Sequence, residues 1–132
     1  MPTYPQPELD SLTQRLAAAP WIQFGGDMRG RLPMEGGIYR ICDHSVKLPQ
    51  EVYVGSSRNL RRRIYTNHFM GPAANSTLVR KIINDGLYHN AVEVHLFLGT
   101  SCAVQFLVIA DERLRCFTEH YAVAILQPLY NN

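Results

Sequence analysis

Residues 37–63 restrict the fold of this chain more than any other stretch, because within them the backbone must pass from strand to turn to strand to helix. Gly37 to Cys42 and Glu51 to Gly55 are short segments rich in β-formers. Between them, Asp43-His44-Ser45-Val46-Lys47-Leu48-Pro49-Gln50 supplies Asp, Ser and Pro for turning, which predicts a hairpin with a medium loop. Side chains alternate faces along a strand, grouping Tyr39 with Gly37 and Ile41, and Tyr53 with Glu51 and Gly55. A suitable register brings the two phenols together on one side of the hairpin. After Gly55 the period lengthens: Ser56 or Ser57 stands ready to cap a helix in which Leu60 and Ile64 lie at i and i+4. Arg63 falls at the edge of that apolar stripe, near the sheet, with Arg61 and Arg62 directed more outward.

A chain of 132 residues, 46% hydrophobic and 18% charged, is one globular domain able to bury its own core. A net charge of +2 is too small to specify a partner, so the distribution of charge carries the information. Arg58, Arg61, Arg62 and Arg63 form one cluster and Arg80-Lys81 another, which suits a polyanion on one face; solvated helix faces are the competing reading. Cys42, Cys102 and Cys116 are odd in number and lack paired spacing, so neither a disulfide framework nor a zinc site is indicated. With no signal peptide and no apolar run of membrane-spanning length, the expectation is a cytosolic protein without a membrane partner.

Met1 to Pro7 carries three prolines and is expected to be extended or poorly ordered. Leu9, Leu12 and Leu16 predict an amphipathic helix over Glu8 to Ala19, stopped by Pro20. In Trp21 to Pro33, Ile22 and Phe24 fit either a short strand or a loop that clamps this helix onto the domain. Asn67 to Asn75 contains Gly71 and Pro72 and reads as a loop. Ser76 opens a helix with Leu78, Ile82 and Ile83 on one side, Arg80, Lys81 and Asn84 outward, and an end at Gly86. Val92, Val94, Leu96 and Leu98 alternate with Glu93, His95 and Phe97, predicting a strand over Ala91 to Leu98 followed by a turn at Gly99-Thr100-Ser101. Ala103 to Ala110 fits a buried strand or the start of a long helix. Asp111 then caps a helix from Glu112 to Leu126 that Pro128 terminates.

From Tyr121 to Leu126 this last helix is apolar on every side, which predicts a buried C-terminal half. Glu119 lies just before, on the stripe with Cys116 and Val123. A carboxylate there is costly unless it is paired or holds a cation. Two readings follow: a salt bridge to an arginine such as Arg63, or a Mg²⁺ ligand.

Gly37-Ile38-Tyr39 and Tyr53-Val54-Gly55 resemble the two signature tripeptides of the GIY-YIG nuclease family. In that family an arginine on the first helix follows the second tyrosine by ten residues, and Arg63 stands there. A metal-binding glutamate lies on a later helix, matched here by Glu119, and an asparagine follows a Pro-x-Tyr, matched by Asn131 after Pro128-Leu129-Tyr130. The resemblance spans roughly residues 35–131. It implies an α+β fold, a small, mainly antiparallel sheet flanked by helices, with a nuclease domain over 35–132 and an N-terminal extension of one helix over 1–34.

The resemblance also implies a divalent-metal-dependent DNA endonuclease. Glu119 would bind a single Mg²⁺ or Mn²⁺, Arg63 the scissile phosphate, and Tyr39 or Tyr53 would act as general base on the attacking water. A phenol with an ordinary pKa near 10 is a poor base at neutral pH, so it needs positive charge nearby. Asn131 would hold backbone, phosphate or water in place. Arg58, Arg61, Arg62, His68, Arg80 and Lys81 are the further candidates for contact with DNA.

Members of the family often carry histidine or tyrosine four residues after the arginine. Asn67 holds that position here and His68 follows it, so His68 either swings in or stays at the surface. Ser56 stands where some repair nucleases of the family carry lysine. The loop between the signatures exceeds the family's shorter forms, and His120 reads as structural. With the catalytic module filling most of the chain, specificity is expected from loops, the N-terminal extension, a homodimer or a partner protein. A binding module that has lost cleavage is the alternative, and a structural interaction domain the third. Convergence of the five matched side chains on one basic face discriminates among them.

Overall fold

The computed structural model describes residues 4–131, in which a four-stranded antiparallel sheet carries helices on both faces. In chain order the elements are α1 (Gln6–Ala18), β1 (Ile22–Gln23), a 3-10 turn (Gly26–Arg31), β2 (Gly37–Asp43), β3 (Gln50–Ser57), a π-helix (Arg62–Phe69), α2 (Thr77–Asn84), α3 (Ala91–Ser101), β4 (Cys102–Val108) and α4 (Glu112–Leu126). The strands lie in the order β1-β4-β2-β3. This is the α+β arrangement expected, with the predicted hairpin as β2 and β3.

Alternation along β2 divides the core between the two faces. Tyr39 and Ile41 join Leu60, Ile64, Leu78, Ile82, Val94 and Leu98 in the larger cluster, against the π-helix, α2 and α3. Ile38 faces the opposite way and packs with Leu12, Leu16, Leu107, Ile109 and Leu114 beneath α1 and α4.

The N-terminal segment is part of both clusters. β1 forms one edge of the sheet against β4, and Met28 and Leu32 are buried with it. Its helix is tied down by a buried polar link. The side chain of Gln105, fully enclosed on β4, donates to the carbonyls of Ala17 and Ala19 at 2.8 Å each and accepts from Arg40 Nη1 at 2.9 Å. Arg40 also pairs with Glu51 across the hairpin and lies over the Trp21 ring. α1 begins at Gln6, with Pro5 before it and Pro7 in its first turn, where a missing N–H costs no helical hydrogen bond. Tyr4 and Pro5 precede it without regular structure, and Met1, Pro2 and Thr3 of the expected extended stretch lie outside the described residues.

Two expectations are corrected. Residues 91–98 are helical, and Gly99-Thr100-Ser101 continue α3 instead of turning. The alternation was ambiguous because every second residue is apolar on two sides: Val94 and Leu98 stand at i and i+4 on the buried face, while Val92 and Leu96 repeat the spacing on an exposed one. Asn90 decides the matter, its side chain accepting from the Glu93 N–H at 3.0 Å as a helix cap. The C-terminal half of α4 is not buried: Ala122 is enclosed, but Ala124 and Ile125 face outward. Cys116 is exposed as well. Residues 103–108 take the strand option and lie between β1 and β2. Among the described residues no helix is long and apolar enough to cross a membrane.

Candidate active site

β3 and the helix after it set the frame of the site. The predicted cap is corrected: Asn59, not Ser56 or Ser57, accepts from the Arg62 N–H at 3.0 Å, while Ser57 Oγ bonds the backbone of Asn59. The helix is then wound as a π-helix, ending with the Met70 N–H on the Tyr65 carbonyl at 3.0 Å, an i→i+5 bond. Five residues make about one turn of such a helix, as four make about one turn of an α-helix. His68, five residues beyond Arg63, is thereby turned into the core.

His68 is therefore not a surface contact for nucleic acid. It is buried, with Nε2 2.7 Å from the Tyr39 hydroxyl and Nδ1 2.6 Å from Ser76 Oγ. The charge of Arg63 acts on Tyr39, Tyr53 and His68 alike, which places its guanidinium near all three rings. One arrangement satisfies these groups: Tyr39 donates to Nε2, and Nδ1–H donates to Ser76 Oγ, which also accepts from the Val79 N–H. Electrostatics agrees with neutral partners. Burial, reinforced by the charge of Arg63, pushes His68 down to about 3. Burial also raises Tyr39 well above the ordinary tyrosine value, the neighbouring Tyr53 and Glu119 adding to the rise and Arg63 opposing it.

Tyr53 differs in its exposure. Its ring centroid lies 6.1 Å from that of Tyr39 and 5.8 Å from that of His68, yet the residue is only half-buried while Tyr39 is fully enclosed. Burial raises its pKa first, the Glu119 carboxylate adds to this, and Arg63 lowers it. The closeness of the two phenols rests on Gly55, which pairs with Tyr39 across the hairpin. A methyl group at position 55 would overlap the Tyr39 hydroxyl. Gly55→Ala is expected to destabilise the domain by about 1–3 kcal/mol, a fall in Tm of roughly 5–10 °C. An alanine variant that melts with the wild type would refute this packing.

Glu119 projects from α4 toward the end of β3, where Oε1 accepts from Ser56 Oγ at 2.6 Å. The expected alternative, a salt bridge to Arg63, is not formed among the described residues; the ring of His120 lies nearby, its Nε2 3.9 Å from Glu119 Oε2. Ser56 was not among the candidate site residues, although it occupies the family's lysine position. Asn131 acts on backbone: it accepts from the Val54 N–H at 2.8 Å and donates to the Val54 carbonyl at 2.6 Å. Gln127, with φ of 48°, reverses the chain after α4 so that Leu129 and Tyr130 bond Glu51 and Val52. The segment thus covers the free edge of β3 on either side of Tyr53.

Of the basic residues proposed for DNA, Arg58 and Arg62 are exposed and line a cleft of about 420 Å³ together with Arg63. Arg61 is turned to another task, donating to the Leu32 carbonyl at 2.8 Å. Arg80 holds the carbonyls of Ala73 and Ala74, and neither it nor Lys81 lines that cleft. Tyr39, Tyr53, Arg63 and Glu119 are brought together, with Ser56 and His68 added and Asn131 supporting from the strand edge.

Residues 35–94 match the family model described as the GIY-YIG catalytic domain, a segment that holds both tripeptides and Arg63 and stops before Glu119. The chain is similar to the solved GIY-YIG N-terminal endonuclease domain of UvrC from Thermotoga maritima bound to magnesium, with 16% identity over 83% of this chain and 100% of that one and a TM-score of 0.49. A point mutant of that domain bound to its catalytic divalent cation gives 15% identity over 83% and 99%, also with a TM-score of 0.49. No curated protein sequence matches the chain. The tripeptides lie on paired strands, and residues 35–94, the segment that contains them and Arg63, match the GIY-YIG catalytic domain.

Proposed function

We propose that this domain is a divalent-metal-dependent endonuclease that hydrolyses phosphodiester bonds in DNA. The observation that carries the reading is the meeting of Tyr39, Tyr53, Arg63 and Glu119, contributed by two strands and two helices, beside an open cleft lined by arginines. Glu119 fits a cation: its carboxylate is 23% exposed and has neither lysine nor arginine in ion-pair contact among the described residues. No group of three or more His, Cys, Asp or Glu residues is gathered there or elsewhere among them. That donor set suits Mg²⁺, which keeps several waters and needs few protein ligands. Held by Glu119, the ion would supply Lewis-acid polarisation of a phosphoryl oxygen.

The remaining steps belong to the chain's own groups. Arg63 binds the scissile phosphate through its planar donor fork and stabilises the charge that develops there. Tyr53, half-exposed, is the phenol that can reach a water; neutralising Glu119 removes one of the two influences that raise its pKa. Tyr39, enclosed beside His68 and near Arg63, holds the wall of the site against which Tyr53 packs. His68 in turn fixes Tyr39. Ser56 orients the Glu119 carboxylate.

The test is cleavage of labelled single-stranded, duplex and branched DNA in Mg²⁺ or Mn²⁺. Cutting that stops when EDTA is added, and returns with excess Mg²⁺, is the expected result. Folded protein that binds DNA and cuts none of these substrates in either metal would overturn the proposal in favour of a binding module.

A further inference from the structure

The cleft beside the site holds more positive charge than one scissile phosphate requires. Four of its lining residues are arginines, Arg58, Arg62, Arg63 and Arg115, against one carboxylate, Glu112. A phosphodiester carries a single negative charge, which Arg63 alone can match.

Arg115 was not a candidate from sequence, because a residue on the first turns of a helix ordinarily faces solvent. Here it is only 5% exposed. Its guanidinium lies against Gly36, where any Cβ would overlap Nη1, and Nη1 donates to the Ile109 carbonyl at 3.0 Å. Among the described residues it has no carboxylate in ion-pair contact. A guanidinium removed from water, held by neutral carbonyls and left without a counter-charge is a built receptor for an anion. Its place by Gly36 differs from that of Arg63, whose charge acts on Tyr39, Tyr53 and His68, so the two cations stand at separate points along the cleft. Arg58, which lines the cleft together with Arg115, is engaged by Glu112 at 3.2 Å, and both are exposed enough to part.

We infer that this cleft contains a second phosphate subsite, anchored by Arg115 and completed by Arg58 on release from Glu112, for a backbone phosphate that flanks the scissile one. The assignment rests on the proposed action on DNA, but it concerns binding and is read without cleavage. Glu112 acts as a competing anion: it neutralises Arg58 until a phosphate displaces it.

The test measures the affinity of labelled single-stranded and duplex DNA in EDTA over a series of KCl concentrations. Arg115→Gln is expected to weaken binding about tenfold and to flatten the plot of log affinity against log salt by about 0.7–0.9, the loss of one phosphate contact. Glu112→Gln is expected to tighten binding several-fold. A folded Arg115→Gln protein with unchanged slope overturns the subsite. Should Arg115→Gln fail to fold, Glu112→Gln decides alone, since it alters only an exposed pair; unchanged affinity there overturns the inference. Wild-type protein that binds no DNA overturns it as well. Binding that responds as predicted while Mg²⁺ elicits no cutting keeps the subsite and removes the nuclease reading, whereas cutting with no response of binding to either variant does the reverse.

Discussion

Glu119→Gln is expected to lower the single-turnover rate of DNA cleavage by about a hundredfold or more, with the melting temperature and DNA affinity nearly unchanged. Glutamine is close in shape and its carbonyl oxygen can still accept from Ser56 Oγ, so the local hydrogen bond survives. What disappears is the negative charge. Because that carboxylate has no arginine or lysine to balance it among the described residues, its removal strands no cation and leaves the fold intact. The loss falls on the capacity to hold a divalent ion next to Tyr53 and Arg63. Raising Mg²⁺ or Mn²⁺ is expected to restore only a small part of the rate. A glutamine variant that cuts at the wild-type rate would remove Glu119 from the site and, with it, the one-metal scheme.

The second large effect concerns stability in acid. His68 is pushed down to about 3 by burial and by Arg63, against about 6.5 in an unfolded chain. A folded-state pKa below the unfolded one means that protons favour the unfolded chain, so the contribution of neutral His68 is complete above about pH 6.5 and is lost as pH falls toward 3. At pH 4.5, two units below the unfolded value, the loss is about 2–3 kcal/mol, or roughly 10 °C in Tm. His68→Gln cannot titrate. The variant is expected to be the less stable protein at pH 7.5, where it gives up the paired contacts to Tyr39 and Ser76. The gap in Tm should then narrow between pH 7.5 and pH 4.5. Parallel curves over that interval would mean that His68 is not buried neutral, and that Tyr39 is held by something else.

The elements whose ends are marked by side-chain caps were legible in the sequence. Ser76 caps α2 and Asp111 caps α4, each accepting from a backbone N–H three residues on, at the predicted starts. The hairpin was legible because two β-rich runs flank a turn, and its register does bring Tyr39 and Tyr53 side by side. α3 was misread because period-2 alternation also satisfies i, i+4 on two faces of a helix when both faces are apolar. His68 was misplaced for a related reason: position 67 is the inward one only if the helix is wound with α periodicity, and this helix is not. Arg61 and Arg80 resemble DNA contacts in sequence, but each has found nearby backbone carbonyls, acceptors that leave no trace in a list of side chains.

Residue chemistry and spacing along the chain determined the strand pair, the capped helices and the group of tyrosine, arginine and glutamate residues from which the candidate site is made. Those follow from local rules, since caps, turns and alternation act over a few residues. Only the tertiary structure decided which tyrosine is enclosed, that His68 rather than Asn67 meets it, that Ser56 bonds Glu119, and that Arg115 is buried without a counter-charge. Desolvation and pairing between segments far apart in the chain set those outcomes. They depend on how helices pack against the sheet, and the energies that fix them belong to contacts the linear order does not specify.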